Sequence, residues 1–117
     1  NQAVRAALPA DAAVMVAANL IRADRPERAL TWLDRAEQAD PSNVDIYVNR
    51  VAALGDLKRY DEAEIAFYLG QERDPEHAEL YATMADCLLA RRNYDKAVWC
   101  LREAARLAPD LQGMQAR

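Results

Sequence analysis

The sequence has few of the residues on which catalysis usually depends. Its 117 residues include one histidine, His77, and one serine, Ser42. It has no glycine-rich phosphate loop, no nucleophile elbow and no sequence cluster of metal ligands. A surface position beside Glu76 explains His77, and a helix-cap position explains Ser42. We therefore predict a protein without enzymatic activity, cofactor or metal.

The sequence also lacks an excess of basic residues and any long apolar run. Its net charge is −4 and its pI is near 5.0, which argues against nucleic acid and anionic membrane surfaces, because their binders need basic patches. The most apolar stretch, residues 12–21, is interrupted by Asn19 and is too short to span a bilayer. No signal-peptide pattern is visible at the N-terminus, although an upstream segment could precede Asn1.

Cysteine is scarce as well. Cys87 and Cys100 form no CxxC motif and have no histidines clustered around them, so we predict two free thiols in a reducing compartment. Taken with the missing signal pattern, this predicts a cytoplasmic protein.

Glycine is rare and alternating β-branched runs are missing, whereas alanine is abundant. Aromatic residues make up 7% of the chain and there are three glycines. Alanine loses no side-chain entropy in a helix, so this composition favours helix over strand. The sequence contains no Asn-Gly or Asp-Gly hairpin signal. We predict an all-α protein.

A regular spacing of prolines organises the helical pattern. Pro41, Pro75 and Pro109 stand 34 residues apart, and each follows a stretch with helical periodicity. When the chain is divided in this register, small residues recur at positions 8, 20 and 27 of each unit, and larger ones at positions 4, 11, 17 and 24. Position 20, for example, is Ala29, Ala63 and Ala97. Small residues let two antiparallel helices approach closely, and the larger ones fill the space around them.

This register resembles the tetratricopeptide repeat, a helix-turn-helix unit of 34 residues with an Ala-x3-Phe pattern and a closing proline. The second unit fits best, with Tyr47, Tyr60, Ala63, Phe67 and Pro75 in the characteristic positions. Three features depart from the pattern. Ala13 replaces the first aromatic residue, Arg50 stands at a usually apolar position, and Asp24, Lys58 and Arg92 occupy the turn position where glycine is usual.

The resemblance implies a right-handed superhelical solenoid of three units, at residues 10–43, 44–77 and 78–111. Residues 1–9 are predicted to be the tail of a helix that Pro9 stops. Residues 112–117 are predicted to begin a further helix, which leaves the face formed by Val98, Leu101 and Ala105 without a cover. We therefore allow for a homo-oligomer through that C-terminal face.

In this family the first helix of each unit lines a concave groove, and the resemblance assigns groove positions residue by residue. These positions hold five acidic residues and one arginine. The predicted partner-binding residues are Asp11, Met15, Arg22, Asp45, Val48, Asn49, Ala52, Asp56, Glu79, Thr83 and Asp86.

One class of the family clamps C-terminal carboxylates with lysines, asparagines and an arginine. Only Asn49 matches that set here, whereas Val14, Ala18, Glu79 and Thr83 replace the other members. We therefore expect no carboxylate clamp. The acidic groove predicts a protein or peptide partner with basic and small apolar side chains.

The leading hypothesis is thus a non-enzymatic protein–protein interaction scaffold. Three alternatives stay open. The chain could be the repeat segment of a larger multidomain protein or enzyme. It could be a chaperone similar to those of bacterial type III secretion translocators, because residues 85–89 loosely resemble their third repeat. It could also be a structural repeat protein that assembles with itself.

Overall fold

The computed structural model describes residues 10–109, and these fold into six α-helices without a strand. The helices are α1 (Ala10–Arg22), α2 (Pro26–Ala39), α3 (Val44–Asp56), α4 (Tyr60–Arg73), α5 (Ala78–Ala90) and α6 (Tyr94–Leu107). They pair as α1–α2, α3–α4 and α5–α6, and the pairs stack in chain order. The all-α repeat solenoid predicted from the sequence is confirmed. The predicted helical segments at residues 1–9 and 112–117 lie outside the described residues.

The turn inside each pair has the same geometry, and it explains why glycine is usual there. Asp24, Lys58 and Arg92 all adopt left-handed backbone conformations, with φ of 61°, 60° and 65°. In the second unit, Lys58 N donates to Gly55 O and Arg59 N donates to Leu54 O, which is the Schellman pattern that closes a helix C-terminus. A side chain at such a position costs about 1–2 kcal/mol of backbone strain.

Small residues make the contacts within each pair, as the register predicts. Ala17, Ala29, Ala36 and Ala63 are fully buried. At position 27 the second unit has Gly70, and a Cβ there would lie 2.9 Å from Tyr47 Cβ and 3.0 Å from Leu80 Cδ1. Gly70 therefore allows α3 and α5 to pack against α4 at the same point.

The prolines mark the junctions between units, where an aromatic residue reaches back to them. Tyr81 Oη donates to the carbonyl oxygen of Pro75 at 2.6 Å, and Tyr47 Oη lies 3.4 Å from that of Pro41. Tyr47 also donates to Glu37 at 2.9 Å. These contacts tie the first helix of one unit to the turn that precedes it and, through Glu37, to the second helix of the preceding unit.

Arg50, the polar residue at a usually apolar position, joins α3 to α2. Its guanidinium contacts Asp34 and Glu37, each at 2.8 Å, and lies over the ring of Tyr47. The hydrogen bond from Arg50 is the main reason why the pKa of Glu37 falls below its ordinary value. The first junction is thus held by an ion pair as well as by apolar packing.

Candidate functional site: a concave groove

The first helices of the three units form the inner side of the solenoid. Among the described residues, the backbone of α3 packs against both α1 and α5, whereas the backbones of α2, α4 and α6 do not approach one another closely. The outer helices α4 and α6 are joined only at the side-chain level, for example by the ion pair between Lys96 and Glu64 at 3.0 Å. Each outer helix packs on its own partner, and α2 and α4 also pack on the first helix of the next unit. Helices that touch on one side and spread on the other give the stack its curvature, so α1, α3 and α5 line the concave face.

One end of this groove carries an acid from each unit. Asp11, Asp45 and Glu79 lie in the first turns of α1, α3 and α5. Asn43 caps α3 by accepting from Asp45 N, and its Nδ2 donates to Asp11 Oδ1 at 3.1 Å. These carboxylates therefore stand where the positive ends of the helix dipoles favour negative charge.

The other end of the groove holds a pocket of about 210 Å³ that spans all three units. Four predicted groove residues line it: Ala52, Asp56, Thr83 and Asp86. Its remaining lining residues are Ile21, Val51, Gly55, Cys87 and Ala90. The pocket thus combines two carboxylates with a largely apolar wall.

The surroundings of Asp56 disfavour its charged form. Partial burial and the neighbouring Asp24 raise the pKa of the Asp56 carboxyl above its ordinary value. A positive group in the pocket would relieve both effects, because it replaces lost solvation and offsets the repulsion.

The other predicted groove residues differ in what they offer a partner. Met15 is 65% exposed, and Arg22 is also exposed and donates to Asn19 at 2.7 Å. Asn49 is half-buried and donates from Nδ2 to Asp45 O at 2.8 Å, so one amide hydrogen is used within its own helix. Val48 is 5% exposed and packs into the core, so it offers a partner little surface.

Among the residues near the groove that were not predicted as site residues, Cys87 and His77 carry reactive or titratable side chains. Cys87 lines the pocket, yet the sequence suggested only a small buried residue at its position. Burial is the main cause that raises the pKa of the Cys87 thiol, so it is protonated and a poor nucleophile at neutral pH. His77 was expected to be exposed, but it is half-buried at the junction of units two and three. Its register position, which it shares with Asn43, was the available signal.

No helix in residues 10–109 has the length and apolar character that a membrane crossing requires.

Comparisons with known proteins agree with this architecture. The family model described as "Tetratricopeptide repeat" matches residues 44–77 and 78–111, which together exceed half of the chain. A search of curated proteins found no match.

Three solved structures illustrate the similarity. YrrB, described as a TPR protein with an unusual peptide-binding site, is 27% identical with a TM-score of 0.74, over 92% of this chain and 56% of that one. The first TPR of Spaghetti (RPAP3), bound to the HSP90 peptide SRMEEVD, is 18% identical with a TM-score of 0.77. The match covers 88% of this chain and 82% of that one. The type III secretion translocator chaperone SycD of Yersinia enterocolitica is 19% identical with a TM-score of 0.78. The match covers 92% of this chain and 84% of that one.

The last two likenesses concern the fold alone. Three observations support the same family assignment: the 34-residue register, the stacked helix pairs and the family match over two consecutive units. The chain belongs to the tetratricopeptide repeat family.

Proposed function

We propose that this chain is a non-enzymatic interaction module that binds a protein segment carrying basic and small apolar side chains in its concave groove. The observation that carries the proposal is the pocket of about 210 Å³ that Asp56 and Asp86 share with an apolar wall. The two free, buried thiols support a reducing compartment such as the cytoplasm.

The pocket suits a long basic side chain. The methylene groups of an arginine or lysine can lie along the partly exposed Ile21 and Ala52, while the charged end meets the carboxylates. Arginine fits better than lysine because its planar fork can donate to two carboxylate oxygens at once.

The acids at the other end of the groove extend the same preference along the partner. Asp11, Asp45 and Glu79 repeat at one position per unit, so an extended segment would meet negative charge along its length. Such a field accelerates association with basic partners and discourages acidic ones.

This preference is opposite to that of the Spaghetti structure, whose bound peptide is the acidic SRMEEVD. Residues of this chain at the clamp positions include Glu79 in place of a basic residue. We therefore expect SRMEEVD not to bind, and it serves as a negative-control peptide.

The test is a selection from a random peptide library displayed against the wild-type chain. Bound sequences should be enriched in arginine and lysine, and their affinity should fall by at least about tenfold in the double variant Asp56→Asn, Asp86→Asn, or about 1.4 kcal/mol. The matched control, Glu27→Gln with Glu72→Gln, removes two exposed charges from outer helices. Enrichment of acidic peptides, or equal losses in both double variants, would contradict the proposal.

A second candidate function is self-association through α6. Leu33 and Phe67 occupy the same repeat position as Leu101, and they are 0% and 4% exposed because the next first helix covers them. Leu101 is 40% exposed and Val98 beside it is 45% exposed. We propose a second copy of the chain as the cover. Light scattering over a concentration series tests this: a dimer that Leu101→Asp dissociates supports it, and a monomer throughout rules it out.

A further inference from the structure

The junction between units two and three holds a histidine between carboxylates from different helices. His77 is the residue before α5, and its side chain makes no capping hydrogen bond. His77 Nε2 lies 3.3 Å from Asp45 Oδ1 of α3, and Nδ1 lies 3.7 Å from Asp74 Oδ2. Glu79, in the first turn of α5, completes a group whose ligand atoms with Asp45 and His77 all lie within 4.8 Å of one another.

The equivalent junction between units one and two shows what is unusual here. There Asn43 stands at the place of His77 and donates from Nδ2 to Asp11 Oδ1 at 3.1 Å. That hydrogen bond satisfies both groups. At the second junction Nε2 is shielded from solvent and has no hydrogen-bond partner, although 26% of the whole side chain is exposed. A shielded nitrogen that lies 3.3 Å from a carboxylate oxygen and still forms no hydrogen bond calls for an explanation.

We propose that His77, Asp45 and Glu79 bind a divalent transition-metal ion, for which Zn²⁺ is the natural probe. One imidazole nitrogen and two carboxylate oxygens are ligands that Zn²⁺ accepts, with solvent completing a tetrahedral site. Mg²⁺ and Ca²⁺ prefer sites built only from oxygen, so the histidine discriminates against them.

The surroundings of His77 fit this role. Metal-bound histidines usually donate their second nitrogen to a carboxylate, which fixes the ring and strengthens the ligand. Asp74 is placed to be that carboxylate, and its other oxygen is held by Glu76 N at 3.0 Å. Ligand atoms around tetrahedral Zn²⁺ lie roughly 3.3 Å apart. The ligand atoms of Asp45, His77 and Glu79 must therefore move slightly closer together to bind the ion. The half-exposed Asp45 and the exposed Glu79 have room for this movement.

The sequence alone could not show this site, because Asp45 and His77 are 32 residues apart along the chain. The stacking of consecutive units brings them together. The site lies at the acidic end of the groove, but its ability to bind metal does not depend on the proposed partner.

The experiment is a Zn²⁺ titration of the full chain followed by NMR at the imidazole signals, which report on one residue because His77 is the only histidine. We expect these signals to shift or broaden with one equivalent of Zn²⁺ and not with Mg²⁺, and the melting temperature to rise with Zn²⁺. Imidazole signals that stay unchanged at millimolar Zn²⁺ would overturn the proposal.

Two variants separate a metal site from a structural role. His77→Asn copies the first junction, so we expect it to fold as the wild type does. It should bind Zn²⁺ at least about tenfold more weakly, because tenfold is the smallest loss usual even when the residue removed only hydrogen-bonds to a metal ligand. Asp74→Asn, which leaves every ligand in place, should weaken binding by about 10–100-fold. Full Zn²⁺ affinity in His77→Asn would place the metal elsewhere and refute the proposal.

Discussion

The two described helical glycines offer a matched test of how closely the units pack. Gly55 in α3 and Gly70 in α4 both lie in the last turn of their helices and have ordinary negative φ. Alanine is favoured over glycine by about 1 kcal/mol in a helix interior and by somewhat less in a last turn. The two sites differ in the space that an added methyl group would find.

At Gly55 a Cβ would lie 3.5 Å from Cys87 Sγ, which is an ordinary van der Waals contact. At Gly70 it would lie 2.9 Å from Tyr47 Cβ and 3.0 Å from Leu80 Cδ1, and both neighbours are fully buried. Tyr47 cannot easily move, because its hydroxyl donates a hydrogen bond to Glu37. Overpacking of this kind costs about 1–3 kcal/mol.

We therefore expect Gly55→Ala to stabilise the fold by about 0.5–1 kcal/mol and Gly70→Ala to destabilise it by about 1 kcal/mol, the overpacking cost less the helix gain. At about 4 °C per kcal/mol for a chain of this size, the melting temperatures should move in opposite directions by a few degrees. Urea and thermal unfolding followed by circular dichroism measure both. Equal stabilisation by the two substitutions would refute the close approach of α3, α4 and α5 at Gly70.

Three further predictions follow from the turns, the first junction and the thiols. Lys58→Gly should stabilise the fold by about 0.5–1 kcal/mol, because relief of the left-handed backbone strain at φ 60° exceeds the cost of the added entropy of the unfolded chain. The control Lys58→Ala keeps the strain and should not stabilise the fold. Equal gains in stability from both variants would contradict the strain argument. The pKa of Glu37 is lowered in the fold, so its stabilisation is present above the unfolded value near 4.5 and is lost as pH falls through the folded value. Glu37→Gln should flatten the loss of stability in urea titrations between about pH 5 and pH 3, and an unchanged acid slope would show that the pair with Arg50 does not form. Burial raises the pKa of Cys100 to about 11 and also raises that of Cys87, so a disulfide reagent should label both thiols slowly until urea unfolds the chain; immediate labelling of the native protein would show that they are accessible.

Much of the fold could be predicted because its regularities are local or periodic. The prolines at 41, 75 and 109 gave the register, and the small residues within it identified where helices meet. The departures at Asp24, Lys58 and Arg92 were visible as missing glycines. That they keep the glycine backbone conformation, rather than reshaping the turn, required the structure.

The candidate site was less predictable, because its properties depend on contacts between units. The register placed Asp56 and Asp86 on first helices, but only the stacking shows that they share one pocket. Val48 shows the opposite case, since its assigned groove position does not reveal that the core covers it. The polar residue Arg50 and the junction at His77 likewise acquire partners only across helix pairs.

The most direct test of the proposed groove is to map a bound peptide on the chain. A selected arginine-containing peptide would be titrated into ¹⁵N-labelled protein, with SRMEEVD as the negative control. The account predicts amide shifts concentrated at Ala52, Asp56, Thr83 and Asp86, and none of comparable size with SRMEEVD. Shifts concentrated on α2, α4 and α6, or equal shifts with both peptides, would contradict the assignment of the concave face as the binding site.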